Sequence, residues 1–251
     1  MQQNQTPVAL ITGACGGIGS VTAQAFARSG YRLALFDRDV NALSALAATL
    51  TAEGADCATF AADVTDPEAL ERAFAQARER LVRLDAAFNN AGLPGRHIPL
   101  AEMTEDDWQP CQSVNLTGTW RCMRHEIRWM LDSGGGCIVN NASIYALNGG
   151  PSAAYTASKH GIAGLTKTAA LDYAAKGIRI NAVCPALISA GIGLRAISRA
   201  TELGVDLGSR HPVARAGRAE EVAQSVLWLC SEGASFIHGH LLAVDGGYGA
   251  R

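Results

Sequence analysis

The sequence predicts an α/β protein, doubly wound, with a seven-stranded parallel sheet and helices on both faces. Two observations predict it. Short apolar runs rich in β-branched or aromatic residues alternate with longer Ala- and Leu-rich amphipathic stretches along the chain, the βαβ pattern of a parallel sheet. The first run passes directly into a glycine-rich turn, Thr12-Gly13-Ala14-Cys15-Gly16-Gly17-Ile18-Gly19, at the head of a helical pattern. That is the Rossmann-type arrangement, in which glycines let the backbone approach a pyrophosphate at a helix start.

In chain order, Val8 to Thr12 is expected as the first strand and Ile18 to Ser29 as the first helix, with Gly30 suited to its stop. Arg32 to Phe36 and Val40 to Ala52 form the next pair. Cys57 to Ala61 and Pro67 to Leu81 repeat it, the ring of Pro67 fitting a first helical turn. Ala86 to Asn89 reads as the fourth strand and Glu105 to Leu131 as a long helix, with Gly134-Gly135-Gly136 breaking the chain before the fifth strand, Cys137 to Asn141. Ser152 to Ala175, Arg179 to Val183, Ala219 to Ser231 and His240 to Val244 complete the alternation. The exception is Ala186 to Arg215, about thirty residues with no clear strand, where a job rather than a plain connection is expected. It lies beyond a strand's carboxyl end, and Gly191, Gly193, Gly204 and Gly208 permit backbone rearrangement, so residues 186–215 are expected to act as a substrate lid. With no repeat or linker-like stretch, residues 1–251 are expected to form one domain.

Composition narrows the function classes. A net charge of −2 with scattered arginines gives no electrostatic footprint for nucleic acid or an anionic membrane. Seven cysteines without a Cys-x-x-Cys fit reduced thiols, and six histidines show no ligand spacing, so neither disulfides nor a metal is expected. No signal-peptide pattern and no membrane-length apolar run occurs, which makes the cytoplasm the expected location.

Tyr155 and Lys159 stand four residues apart at the head of a helical stretch, twelve residues after Ser143. That spacing puts both side chains on one helical face. At about 4 Å and an effective dielectric near 20, an ammonium stabilises a phenolate by roughly 4 kcal/mol. This is about three pKa units, enough to bring a tyrosine from about 10 close to 7, where it can give or take a proton at an alcohol or carbonyl. The second strand runs into Asp37, whose carboxylate can accept hydrogen bonds from a ribose and would repel a 2′-phosphate. NAD is therefore expected rather than NADP, with Arg38 as the neighbouring group that could serve a phosphate instead.

With its Gly-x-x-x-Gly-x-Gly loop, Asn89-Asn90-Ala91-Gly92 after the fourth strand, Ser143 after the fifth, Tyr-x-x-x-Lys, and Val244-Asp245-Gly246-Gly247-Tyr248 near the end, the chain resembles the short-chain dehydrogenase/reductase family from Thr12 to Gly247. The resemblance implies that Gly13, Gly17, Ile18 and Gly19 cradle the cofactor phosphates. It places Asp37 on the ribose, Asp63 and Val64 on the adenine, and Asn90, Ala91 and Gly92 along the cofactor. It also implies a catalytic tetrad. Ser143 donates to the substrate oxygen, Tyr155 transfers the proton, Lys159 lowers the tyrosine pKa and holds the nicotinamide ribose, and Asn115 anchors water linking Lys159 to solvent. One motif departs from the pattern. The family's Pro-Gly and following threonine read here Pro185-Ala186-Leu187-Ile188-Ser189-Ala190, so Ser189 or the backbone of Ile188 is left to make the nicotinamide contact.

For the substrate pocket, Ile144, Leu147, Asn148, Leu93, Leu187, Ile192 and Leu194 are the expected lining beside Ser143 and Tyr155, largely apolar. A neutral alcohol, diol, sugar or cyclic ketone fits such a lining. Two alternatives stay open. Arg121, Arg124 and Arg128 share one helical face that an acidic carrier protein could use, which would make the chain a 3-oxoacyl-carrier-protein reductase. A non-catalytic NAD-binding sensor would need the glycine loop and Asp37 but not the tetrad. The resemblance also implies a homotetramer, paired through the helices around Asn115 to Leu131 and Ser152 to Ala175, and through Ala219 to Ser231 with the final strand.

Overall fold

A computed structural model describes residues 6–250. Seven parallel strands form one sheet in the order β3-β2-β1-β4-β5-β6-β7. They are β1 (Val8–Thr12), β2 (Arg32–Asp37), β3 (Cys57–Ala61), β4 (Ala86–Asn89), β5 (Gly136–Asn141), β6 (Ile178–Pro185) and β7 (Leu241–Val244). The order reverses between β1 and β4, which leaves a crevice beyond their carboxyl ends where ligands of such sheets bind.

Both faces of the sheet are covered, and the strands show it by alternation. Val8 and Leu10 point into one apolar layer, where α3 (Pro67–Leu81) contributes Leu70 and Phe74 and α5 (Thr119–Ser133) contributes Met123 and Ile127. Ala9 and Ile11 point into the other, formed with Phe26 of α1 (Gly17–Arg28), Leu43 and Leu50 of α2 (Val40–Ala52) and Val222 and Val226 of α8 (Ala219–Cys230). Asp39 and Asp66 cap α2 and α3 by accepting from the first free amides of each helix. Among the described residues no helix is long and apolar enough to cross a membrane.

The structure departs from the sequence reading in three places. The expected helix Glu105 to Leu131 is three pieces, α4 (Glu105–Cys111), a π-helical turn over Gln112–Gly118, and α5. Pro110 lies inside α4, where its missing amide removes a ladder bond, and a wider π turn follows. α5 then runs to Ser133 and stops at Gly134, whose φ of 91° supplies the left-handed cap. The sixth strand extends to Pro185 because β7 pairs with it that far, Pro185 standing opposite Val244, while its pairing with β5 ends at Val183. The segment 186–215, expected as a loop-like lid, holds a helix, α7 (Gly191–Glu202). Glycines at its first and third positions lower local helix propensity and obscure the pattern.

Candidate active site

The phosphate end of the crevice is built by β1, β4 and the start of α1. Gly13 has φ +60°, and a Cβ there would lie 2.8 Å from the Cα of Ala91. This close approach is tied down by Thr12, whose Oγ1 accepts from the amides of Asn90 at 3.1 Å and Ala91 at 3.2 Å. α1 starts at Gly17 with Gly16 as its N-cap and no side chain on its first amides. Free amides at Gly17 and Ile18, at the positive end of the helix, suit a pyrophosphate. A Cβ on Gly17 would meet the backbone nitrogen of Gly191 at 2.5 Å, so the start of α7 packs against the start of α1.

Beside the loop, a cavity of about 200 Å³ is lined by Gly13, Asp37, Arg38, Asp63, Val64 and Asn90 to Gly92. Asp37 accepts from the amides of Cys15 at 3.0 Å and Asp39 at 3.2 Å, which fixes the carboxylate at the strand end. Asp63 accepts from the amide and hydroxyl of Thr65 at 2.8 and 2.7 Å. Burial works to raise its pKa, but these bonds and the nearby Arg38 guanidinium outweigh it and hold the carboxyl low. Arg38 lies 3.8 Å from Asp63. The uncapped helix start, the glycine approach and a carboxylate at the end of β2 fit an adenine dinucleotide.

At the other end, Tyr155 and Lys159 sit on one face of α6 (Ala153–Tyr173), whose cap Ser152 accepts from the Tyr155 amide at 3.4 Å. Ser143 follows β5, and its hydroxyl lies near enough to that of Tyr155 to favour the phenolate. Lys159 is 4% exposed, its Nζ 5.4 Å from the Tyr155 ring centroid. The ammonium donates to the carbonyl of Asn141 at 2.6 Å. Burial pushes the Tyr155 phenol up to about 12 and pulls Lys159 down to about 8. The expectation of a phenol near 7 is therefore corrected. Desolvation of both groups dominates, and the lysine is directed at a carbonyl rather than at the phenolic oxygen.

Four hydrogen-bonding groups join the two ends. The Asn90 amide group donates to the carbonyl of Gly13 at 2.9 Å, and Asn141 donates to Oδ1 of Asn90 at 2.9 Å. Lys159 donates in turn to the carbonyl of Asn141. The phosphate loop and the buried ammonium are thus connected across the ends of β1, β4 and β5.

Asn115 lies on the π turn and is fully buried. Its Oδ1 accepts from the Leu93 amide at 2.9 Å, while its Nδ2 donates to the Leu93 carbonyl and to Ser158 Oγ, both at 3.1 Å. It clamps the strand-end segment that carries Gly92. A Cβ on Gly92 would be 3.3 Å from Asn115 Oδ1 and 3.9 Å from Lys159 Nζ.

A second cavity, of about 680 Å³, contains this chemistry. Gly17, Ile18, Asn90, Gly92, Leu93, Ser143, Ile144, Tyr155, Lys159, Pro185, Leu187, Ile188 and Ile192 of the sequence reading line it. Leu147 and Asn148 do not, nor does Leu194. Leu147 and Leu194 are 44% and 50% exposed, and Asn148 is turned back to donate to the Ile144 carbonyl at 3.2 Å. Ser189 donates to the carbonyl of Gly217 at 3.0 Å, so its hydroxyl is committed elsewhere. Ala186 does not have a positive φ, so alanine is accommodated there without strain. Sequence reasoning missed Tyr145, Arg195 and Arg210 in the cavity wall. The Tyr145 ring stands edge-on to Tyr155 with centroids 6.4 Å apart. For Arg195 a signal existed, since Ile192, Arg195, Ala196 and Arg199 recur at helical spacing.

A doubly wound sheet with a glycine-lined helix start and a tyrosine-lysine pair along one crevice defines a nicotinamide-dependent oxidoreductase. A family model described as enoyl-(acyl carrier protein) reductase matches residues 13–249. The chain belongs to the short-chain dehydrogenase/reductase family. It is 37% identical to a 2,5-dichloro-2,5-cyclohexadiene-1,4-diol dehydrogenase of Sphingobium indicum, over 96% of each chain. It is 39% identical to a cyclohexanol dehydrogenase of an Acinetobacter species, over 97% of this chain and 95% of the other. Among solved structures, levodione reductase superposes with a TM-score of 0.91 at 33% identity, covering 99% of each chain. NAD+-bound xylitol dehydrogenase gives 0.91 at 31% identity over 98% of this chain and all of the other. NADP-bound ElxO gives 0.90 at 32%, with the same coverage.

Proposed function

We propose that the chain interconverts a secondary alcohol and its ketone, with NAD in preference to NADP. The observation that carries this is the Tyr155 hydroxyl, beside Ser143 and Lys159, in the wall of a cavity continuous with an uncapped glycine-rich helix start. The bound nicotinamide supplies or takes up the hydride. The chain's own groups do the rest. Ser143 orients the substrate oxygen, Tyr155 carries the hydroxyl proton, and Lys159 holds positive charge beneath them. Asn115 positions the Leu93 segment that walls the site. The test is a panel of cyclic and acyclic secondary alcohols with each cofactor, followed by absorbance of the reduced nicotinamide. Silence across the panel in both directions would remove the reading. The relatives named for ring alcohols and a ring diol favour a cyclic substrate.

For the cofactor, Asp37 lies where it can accept from ribose hydroxyls, and Arg38 is turned toward Asp63. Asp37→Ala is expected to lower kcat/KM for NAD by about tenfold and raise that for NADP, because two hydrogen bonds and one repulsive charge go together. If the unaltered protein already uses both cofactors equally, Asp37 does not select.

The acyl-carrier reading keeps only part of its arginine face, since Arg124 and Arg128 are exposed but Arg121 is committed to the backbone. Arg121 donates to the carbonyls of Val64 at 3.3 Å and Thr65 at 2.8 Å, and Arg124 lies over the Trp120 ring at 4.8 Å. We also propose a homotetramer, supported by exposed apolar side chains where the second interface would lie, Trp228 at 44% and Phe236 at 99%. Light scattering is expected to give four times the 26.2 kDa chain mass, and a monomer at micromolar concentration would refute it.

A further inference from the structure

We infer that the alcohol carries a carboxylate remote from its reacting carbon and that Arg195 receives it; this rests on the secondary-alcohol reading above. The chain is acidic overall, with a net charge of −2, yet the titratable groups in the wall of the chemical cavity are Cys15, Tyr145, Tyr155, Lys159, Arg195 and Arg210. No aspartate or glutamate is among them. Lys159 is committed to the Asn141 carbonyl beneath the tyrosine. Arg210 lies where its charge acts on Tyr145. Arg195 is exposed at the cavity wall and has neither an ion pair nor a side-chain hydrogen bond among the described residues.

Its place on α7 gives the direction of recognition. Ile192, Arg195 and Ala196 line the cavity, and Arg199, one turn on, lines the adjoining recess with Gly95, Arg96, His97 and Ile98. This is one helical stripe, apolar at the end that meets Gly17 and cationic farther along. Seven residues of helix span about 10 Å, so the charge gradient runs over the length of a small substituted ring. In that recess Arg96 is already paired with Asp107 at 2.6 Å, leaving the arginines of α7 as the ones facing the cleft without an acid. In the same cavity Leu93, Pro94, Ile144 and Pro151 offer apolar wall. A molecule with a hydrocarbon body, a carbinol at the tyrosine and an anionic end fills all three regions. A guanidinium takes a carboxylate by two parallel hydrogen bonds, a match that a neutral polar group does not reproduce. The carboxylate makes and breaks no bond. The carbinol hydrogen leaves as hydride to the nicotinamide, the hydroxyl proton goes to Tyr155, and the hydroxy acid becomes an oxo acid.

The test compares 4-hydroxycyclohexanecarboxylate with its methyl ester, which keeps the ring and removes the charge, on the full-length protein at neutral pH. The ratio of kcat/KM, acid over ester, is expected to exceed ten in the unaltered protein. Arg195→Met should lower that ratio at least tenfold, and Arg195→Lys should restore part of it. Calorimetry with cyclohexanecarboxylate gives a second readout, and its affinity should fall by a similar factor in Arg195→Met. A ratio at or below one, or a ratio that Arg195→Met leaves unmoved, overturns the inference. So does a loss of NAD affinity in Arg195→Met with the ratio unmoved, which would assign the arginine to the cofactor phosphates. If neither compound is oxidised with either cofactor but carboxylate binding still depends on Arg195, the alcohol reading fails and the anion site stands. Absence of both sinks the two together.

Discussion

Tyr155→Phe is expected to lower kcat by at least about a thousandfold while NAD affinity stays within about twofold. The ring remains, so its edge contact with Tyr145 and its packing beside Lys159 persist. What goes is the one hydroxyl that meets Ser143 inside the cavity and can exchange a proton. The pH dependence follows from the same burial. With the phenol pushed up to about 12, the hydroxyl keeps its proton at neutral pH, which suits it to protonating a ketone. Alcohol oxidation needs the deprotonated form, so its rate should climb with pH, while ketone reduction should hold steady through neutrality. Stopped-flow or steady-state pH profiles in both directions check the sign. Turnover above a few per cent in Tyr155→Phe would remove the tyrosine from the chemistry.

Glu126 should dominate the pH dependence of stability. It lies on α5, fully buried, and accepts from the Asn89 amide group at 2.9 Å through Oε2. Its Oε1 and the Oδ1 of Asn89 have no hydrogen-bond partner among the described residues. An ionised carboxylate leaves both oxygens unsatisfied, whereas a protonated one has a hydrogen to donate. Burial pushes the carboxyl up to about 8, against the lowering effect of the Asn89 bond. The folded pKa thus stands above the unfolded one. The folded state binds the extra proton between about 4.5 and 8, so this contribution is complete below that window and is lost as pH rises through it. From pH 5 to 7.5 the loss is on the order of 3 kcal/mol. Lys159 works the other way, since its folded pKa is lowered to about 8, and from there to its unfolded value near 10.5 the unfolded chain holds more protons. Stability therefore recovers partly above pH 8. Urea unfolding at pH 5 and 7.5 should show the decline, and Glu126→Gln should flatten it. An equal decline in both proteins would place its origin elsewhere.

Much of the sheet was legible because a parallel strand buried on both faces must be apolar, as in Val8 to Thr12 and Ala86 to Asn89, which match their observed spans; the edge strand Cys57 to Ala61 matches too, though one face of it is exposed. Gly13, Asp37, Ser143, Tyr155 and Lys159 were legible because each needs a particular residue type at a particular strand end or helix face. The illegible parts have physical causes. The π turn at Gln112–Gly118 alters hydrogen bonding without altering the kind of residue present, so periodicity ran across it. The burial of Glu126 has no sign in the sequence, since it depends on what packs over the carboxyl. α7 was hidden by glycines, and with it the arginines that border a pocket read as largely apolar. The tyrosine pKa was misjudged because spacing along a helix fixes which face a lysine shares, not which oxygen its ammonium reaches.

The run of amides from Gly13 through Asn90 and Asn141 to Lys159 works as a gauge of length. Gly13, Asn90 and Asn141 stand at three adjacent strand ends, whose spacing is set by the sheet, and Lys159 of α6 is bonded to the last of them, so the interval between phosphate cradle and ammonium is fixed. A mononucleotide bound at one end is expected to leave the other end empty. A length fixed by the sheet and by these side chains would select a cofactor by its span, ahead of any recognition of its base.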